Sequence, residues 1–202
     1  MLTIALPKGR IADETLDRFE KAFGEKFVFE DRKLILEKSG FKFLNVRNQD
    51  VPTYVMHGAA DLGVVGLDVL EEKEYDLIKL LDLKLGRCKV AFGLRAGEKL
   101  NSDKSKITIA TKHEKIAKKY FEQKAMAVEI IKLYGSIELA PLVGLCDCIV
   151  DIVETGETMK QNGLEVGPTI METTAHLIAN KNSFYAKKDL IFDLKDKLEK
   201  FL

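Results

Sequence analysis

Short apolar runs alternate with amphipathic ones along nearly the whole chain, and no other feature of the sequence restricts the fold as strongly. "LTIAL" reads as a short buried strand. "RIADETLDRFEKAFG" follows with Ile11, Leu16, Phe19 and Phe23 near helical spacing, and Gly24 is placed to end the helix. "KLILE" and "FKFLNV" read as strands. "DVPTYVMHG" reads as a short helix capped by Asp50, with Pro52 in its first turn. "DLGVVG" is a strand, "LDVLEEK" a brief helix, and "DLIKLLDL" and "KVAFGLR" are two further strands. After the polar stretch "AGEKLNSDKSK" the alternation restarts. "ITIAT", "AVEIIKL", "CIVDIV" and "AHLIANK" read as strands, and "KHEKIAKKYFEQKA" and "SIELAPLVG" as helices. A last amphipathic helix is expected to line one face with Leu190, Ile191, Leu194, Leu198 and Phe201. The class that follows is α/β with mostly parallel sheets.

One internal echo refines this. "DVPTYVMHGAADLGVVG" and "ELAPLVGLCDCIVDIV" share an order of acid, proline-bearing helix, Gly-x-x-Asp and apolar strand, so that Gly58 to Asp61 matches Gly144 to Asp147. Two lobes of similar plan on either side of residue 100 would explain the echo, with a ligand cleft between them. An apolar fraction of 46% over 202 residues suffices for ordinary globular cores. Lys+Arg and Asp+Glu balance at 32 each, so no overall field favours nucleic acid, and an anion site must be built locally. The N-terminus lacks a signal-peptide pattern and no apolar run is long enough for a bilayer, which leads to the expectation of a cytoplasmic protein without membrane contact. Cys146 and Cys148 share one face of a strand and are poorly set for a disulfide; Cys88 reads as a packed core residue.

The chemistry concentrates where strands end. In "DIVETGET", a strand ending at Val153 and a helix starting near Thr155 would expose backbone N–H groups, with Thr155 and Thr158 adding hydroxyls and Gly156 allowing close approach. That describes a phosphate pocket without lysine. Asp151 and Glu154 suit hydroxyls, such as those of a ribose, or a metal-bound water. A helix cap with solvated acids reads the same residues equally well. "ALPKGR" sets Lys8, Gly9 and Arg10 between a strand and a helix. A cation in the first helical turn is unfavourable unless an anion compensates it. Arg32 and Arg47 also flank strands; facing a cleft, they and Arg10 would hold a polyphosphate, although nearby acids offer ordinary ion pairs. Ser136 and Glu138 fall at a helix start, where capping is the default. The three histidines show no metal-ligand spacing, and no nucleophile–base pair stands out.

"ALPKGR", "DVPTYVMHGAADLGVVGLDVL", "IATKH", "IIKLYGSIELAPLVGLCDCIVDIVETGETMKQNGLEV" and "HLIAN" resemble, in order and spacing, the ATP phosphoribosyltransferases, and the resemblance runs over essentially the whole chain. It implies a bilobed fold like the type II periplasmic binding proteins. Lobe I would take residues 1–90 and 178–202, and lobe II residues 91–177. It also implies a reaction in which N1 of ATP's adenine attacks C1 of phosphoribosyl pyrophosphate, with magnesium held mainly by substrate phosphates. By position, Asp151, Glu154, Thr155, Gly156, Glu157 and Thr158 resemble the loop for the 5-phosphate and ribose. Lys8, Gly9, Arg10, Arg32 and Arg47 resemble the surroundings of pyrophosphate and ATP, with Arg10 and Arg32 on the leaving group and Asp68 and Glu138 as further cleft residues. A chain ending at Leu202 resembles the short form of the family. Its members dimerise and join a regulatory subunit resembling histidyl-tRNA synthetase in a hetero-octamer. A non-catalytic solute-binding protein, or a transferase acting on a free base, are the competing readings.

Overall fold

A computed structural model describes residues 1–100 and 104–202; residues 101–103, within "AGEKLNSDKSK", lie outside the described residues. In chain order the elements begin with β1 (Leu2–Pro7), α1 (Arg10–Phe23), β2 (Ile35–Lys38), β3 (Phe41–Val46), a 3₁₀ turn (Asn48–Asp50), α2 (Val51–Met56), β4 (Leu62–Gly66), α3 (Leu67–Lys73) and β5 (Ile78–Arg95). They continue with β6 (Ile107–Thr111), α4 (Glu114–Gln123), β7 (Val128–Lys132), α5 (Leu139–Leu142), β8 (Cys148–Val153), α6 (Glu157–Gln161), β9 (Leu164–Ala179), α7 (Lys181–Ala186) and α8 (Lys188–Glu199). The chain divides into two compact units, Met1–Gly86 with Thr174–Leu202, and Arg87–Thr173. Strands β5 and β9 each give one end to each unit.

In the first unit, β1 runs parallel to both β3 and β4, while β2 on β3 and β9 on β4 are antiparallel. Strand β1 is buried along nearly its whole length, as a central parallel strand covered on both faces must be. Helix α1 covers it through Ala12, Thr15, Leu16 and Phe19, and ends at Gly24 in the left-handed region (φ 71°). Phe19 meets Phe41 and Phe43 edge-on, with ring centroids 5.4 and 5.1 Å apart. Truncating such a fully buried ring to Ala costs about 3–5 kcal/mol. In the second unit, β6 runs parallel to β7 and β8, and β5 lies antiparallel to β8. Each unit therefore has a mixed sheet around three mutually parallel strands; the antiparallel members include the strands through which the chain leaves and returns.

The echo is a shared joint. Asp61 N donates to Thr3 O (2.8 Å) while its carboxylate accepts from Thr3 N (2.9 Å). Asp147 and Thr108 make the same pair, at 2.8 and 2.9 Å. Gly58 and Gly144 precede them at φ 72° and 73°, conformations that glycine adopts without strain. Each aspartate also holds a lysine, Lys187 on Asp61 and Lys104 on Asp147. The joint ties the start of the first parallel strand to the start of the third in both units.

Several local expectations are corrected. "DLIKLLDL" and "KVAFGLR" form the single strand β5, bent but unbroken where Lys84 and Gly86 adopt φ 57° and 58°. "AHLIANK" is only the end of β9, which begins at Leu164 and runs unbroken through Gly167 and Pro168. A Cβ on Gly167 would come within 3.0 Å of Phe92 Cβ, so the glycine permits close packing rather than a break. Lys181 starts α7, with the Asn180 side chain accepting from Ser183 N. Asp50 makes no cap hydrogen bond to α2, because its backbone is already helical within the preceding 3₁₀ turn. Helix α8 buries Ile191, Leu194 and Leu198, leaving Leu190 and Phe201 at 51% and 42% exposure.

Candidate active site

In the second unit, β8 ends at Val153 and Glu154, Thr155 and Gly156 lead into α6 at Glu157, two residues later than the sequence suggests. A helix of five residues has little macrodipole, so any anion cradle here rests on individual N–H and O–H groups. Gly156 is fixed twice: its φ is 82°, and an added Cβ would stand 2.9 Å from Val166 Cγ2. Thr155 Oγ1 accepts from Glu157 N at 3.3 Å, a local turn that also aims its hydroxyl oxygen. Glu157 spends its carboxylate on Gln161, one helical turn on.

Glu154, Thr155, Gly156 and Thr158 line a cavity of about 270 Å³ together with Glu138 and Cys88. Glu138 precedes α5 but its side chain makes no cap bond, which corrects the capping expectation. Cys88 is half-buried at the cavity wall, whereas Cys146 and Cys148 are buried. Burial pushes the Cys148 thiol up to about 12, which disfavours the thiolate.

Asp151 is not part of that lining. Its Oδ1 accepts from Ile152 N (2.7 Å), lies 3.0 Å from Lys112 Nζ and stands 3.9 Å from His113 Nε2. Sequence reasoning missed Lys112 and His113. Strand β6 pairs with β8 through Thr111 and Val150, so residues just past β6 fall beside Asp151. Thr111 secures the turn, donating Oγ1–H to Val150 O and accepting from His113 N. The signal available was "IATKH": a cation directly after a strand, as in "ALPKGR".

In the first unit, the cations gather by register. Pro7 pairs with Val46 across β1 and β3, and Lys8 N donates to Val46 O, so Lys8 and Arg47 leave the carboxyl ends of neighbouring parallel strands. Gly9, at φ 96°, turns the chain into α1, which opens with Arg10. Arg10 Nη1 is 3.0 Å from Glu14 Oε1, a counter-charge one turn along that offsets a cation at the helix start. Asn45 N donates to Leu34 O, so Arg32, just before β2, lies at the same end of the sheet. Asp68, after β4, belongs to this end too, but it is buried at 3% exposure within the first turn of α3. Among the described residues no group of three His, Cys, Asp or Glu side chains is placed to hold a metal ion. No helix among the described residues is long and apolar enough to cross a membrane.

A family model described as HisG: ATP phosphoribosyltransferase matches residues 47–200. The chain belongs to the ATP phosphoribosyltransferase family. It is 67% identical over 200 residues to the ATP phosphoribosyltransferase of Wolinella succinogenes, covering 99% of this chain and 97% of that protein. It is 65% identical over 199 residues to the one of a Sulfurovum species, again covering 97% of the relative. Among solved structures, a chain of the ATP phosphoribosyl transferase (HisG:HisZ) complex from Thermotoga maritima superposes with a TM-score of 0.84 at 36% identity, over 99% of this chain and 98% of that one. The substrate binding protein of an amino acid ABC transporter shares the fold alone, with a TM-score of 0.62 at 12% identity. The two-lobed, periplasmic-binding-protein-like α/β architecture therefore holds for this ATP phosphoribosyltransferase family member. It is a phosphoribosyl-transferring enzyme of the first step of histidine biosynthesis.

Proposed function

We propose how the two sets of residues divide the reaction between phosphoribosyl pyrophosphate and ATP. Thr155, Gly156 and Thr158 take the 5-phosphate through hydroxyl and backbone N–H groups, and Glu154 grips ribose hydroxyls. Asp151 faces the ribose side with its charge offset by Lys112, so that it does not repel the phosphate nearby. Glu157 shapes the turn. Lys8, Gly9, Arg10, Arg32 and Arg47 receive the pyrophosphate and the phosphates of ATP, with Arg10 and Arg32 on the leaving group and Asp68 supporting that strand end. The observation that carries this reading is the cavity joining Thr155, Gly156 and Thr158 to Glu138 and Glu154, hydroxyls and carboxylates side by side.

The chemistry suits these residues. The lone pair of adenine N1 forms the bond to C1 of the ribose while the C1–O bond breaks, its electron pair leaving with pyrophosphate. No proton has to be removed from N1 first, so no strong general base is required. Cations fixed before the reaction stabilise the charge on the leaving group, and positioning supplies the rest. Magnesium arriving with the substrate phosphates would supply charge neutralisation, and Glu138 and Glu154 are the carboxylates at the cavity that would hold its water ligands.

The chain also works as a homodimer that joins a regulatory subunit resembling histidyl-tRNA synthetase in a hetero-octamer, within the cytoplasm. Its likeness to a chain of the T. maritima HisG:HisZ complex supports a partner of that kind. The test is formation of phosphoribosyl-ATP from ATP, phosphoribosyl pyrophosphate and magnesium, followed as an absorbance rise. Absence of product both with and without the regulatory subunit would sink the assignment. Transfer to free adenine in place of ATP would favour the free-base reading.

A further inference from the structure

Helix α1 carries Arg10, Glu14 and Arg18 on one face, at i, i+4 and i+8, and all three bear on the bend in β5 or on each other. Glu14 uses both oxygens. Its Oε1 is 3.0 Å from Arg10 Nη1, and its Oε2 accepts from Gly86 N at 3.1 Å. Arg18 Nη1 donates to Leu83 O at 2.7 Å, so the strand is pinned on either side of the bend. Gly86 has φ 58°, and a Cβ there would fall 2.9 Å from Ile11 Cγ1, one residue after Arg10. The bend is itself held, since Asp82 accepts from Lys84 N (2.9 Å) and from Thr174 Oγ1 (2.8 Å). Directly after Gly86 the chain leaves the first unit, and at Thr174 it re-enters.

We infer that Glu14 is a positioning residue that fixes the Arg10 guanidinium by anchoring it to the Gly86 amide at the bend of β5. A half-exposed arginine on a long flexible stem loses much rotamer freedom when it is placed for a leaving group. A carboxylate that is itself held by a backbone N–H removes that freedom before substrate arrives. The inference rests on the proposed role of Arg10 at the leaving group.

The test is steady-state kinetics on the assembled enzyme for Glu14→Gln, Arg10→Gln and the double variant, with thermal midpoints alongside. Glu14→Gln keeps a carbonyl oxygen for Gly86 N–H but gives up the charge that holds Arg10. Turnover should fall about 10- to 100-fold, the cost expected of a misplaced reacting group. KM for each substrate should stay within about 2-fold, because the interaction matters mainly in the transition state. In the Arg10→Gln background the same change should have almost no further effect on kcat. Gly86→Ala, which leaves both side chains in place but displaces the bend from Ile11, should reduce kcat in the same direction. A full additional loss in the double variant overturns the inference, and so does a lowered thermal midpoint with normal turnover. Impaired Arg10→Gln with unimpaired Glu14→Gln overturns this inference alone, whereas normal turnover in Arg10→Gln overturns the leaving-group role on which it stands.

Discussion

Replacing Gly156 by Ala probes the proposed phosphate loop with a magnitude that can be worked out beforehand. Two penalties are visible. A non-glycine residue at φ 82° occupies the left-handed region, at a cost of about 1–2 kcal/mol. The new methyl would also stand 2.9 Å from Val166 Cγ2, and overpacking of that kind costs about 1–3 kcal/mol. The middle of these ranges sums to about 3.5 kcal/mol, and at 1.4 kcal/mol per factor of ten this is about 300-fold. The loop relieves the strain by leaving its present conformation, which lowers the fraction able to take the phosphate and raises the apparent constant in proportion. KM for phosphoribosyl pyrophosphate should therefore rise by up to about 300-fold, with KM for ATP changed far less. Adding Val166→Ala removes the overlap but not the backbone penalty, so the double variant should recover about 30-fold of the loss. A Gly156→Ala enzyme with normal substrate constants and a normal thermal midpoint would refute the reasoning. A double variant no better than the single would refute the part assigned to Val166.

Three further outcomes follow from the same geometry. Thr158→Ala removes one hydroxyl donor to a charged group and should raise KM for phosphoribosyl pyrophosphate by about 10-fold, with kcat nearly intact; an effect confined to ATP would count against the loop assignment. Cys88 at the cavity wall should be the thiol that alkylates in the native enzyme, since Cys146 and Cys148 are buried, and phosphoribosyl pyrophosphate should slow it. Labelling indifferent to that substrate would contradict the proposed pocket. For Asp82, burial alone raises the carboxyl pKa, but hydrogen bonds from the Lys84 side chain and amide and from Thr174 outweigh it and hold the value at about 2, below the ordinary 3.8. A carboxylate depressed on folding adds stability above its unfolded pKa, lost as pH falls through the folded one. The stability advantage of the native enzyme over Asp82→Asn should thus be full above pH 3.8 and vanish near about 2; a pH-independent difference in acid unfolding curves would contradict it.

What the sequence revealed, and what it hid, divides along the range of the interactions. Alternation of strand and helix is local, and so is the Gly-x-x-Asp echo, whose two copies prove to be the same joint at Asp61 and Asp147. The gathering of Glu154, Thr155, Gly156 and Thr158 on one wall is local as well, because they follow one another on one turn. Three features were out of reach. The continuity of β5 through Lys84 and Gly86 depends on Asp82 and Thr174, 92 residues apart, holding a bend that local rules read as a break. The pairing of Asp151 with Lys112 depends on β6 lying beside β8. Glu14 meets Gly86 across 72 residues, and nothing in "GRIADET" hints at that amide.

The shared joint separates what the two units have in common from what differs between them. In each unit it secures the ends of the parallel strands where they begin, through an aspartate, two backbone bonds and a lysine. The opposite, carboxyl ends differ between the two units: cations after β1 and β3 in one, hydroxyls and carboxylates after β8 in the other. Under the proposed function, such ends select polyanions rather than small neutral solutes. Their separate placement on two similar units matches a reaction with two phosphorylated substrates, in which catalysis is mostly a matter of holding each of them in place.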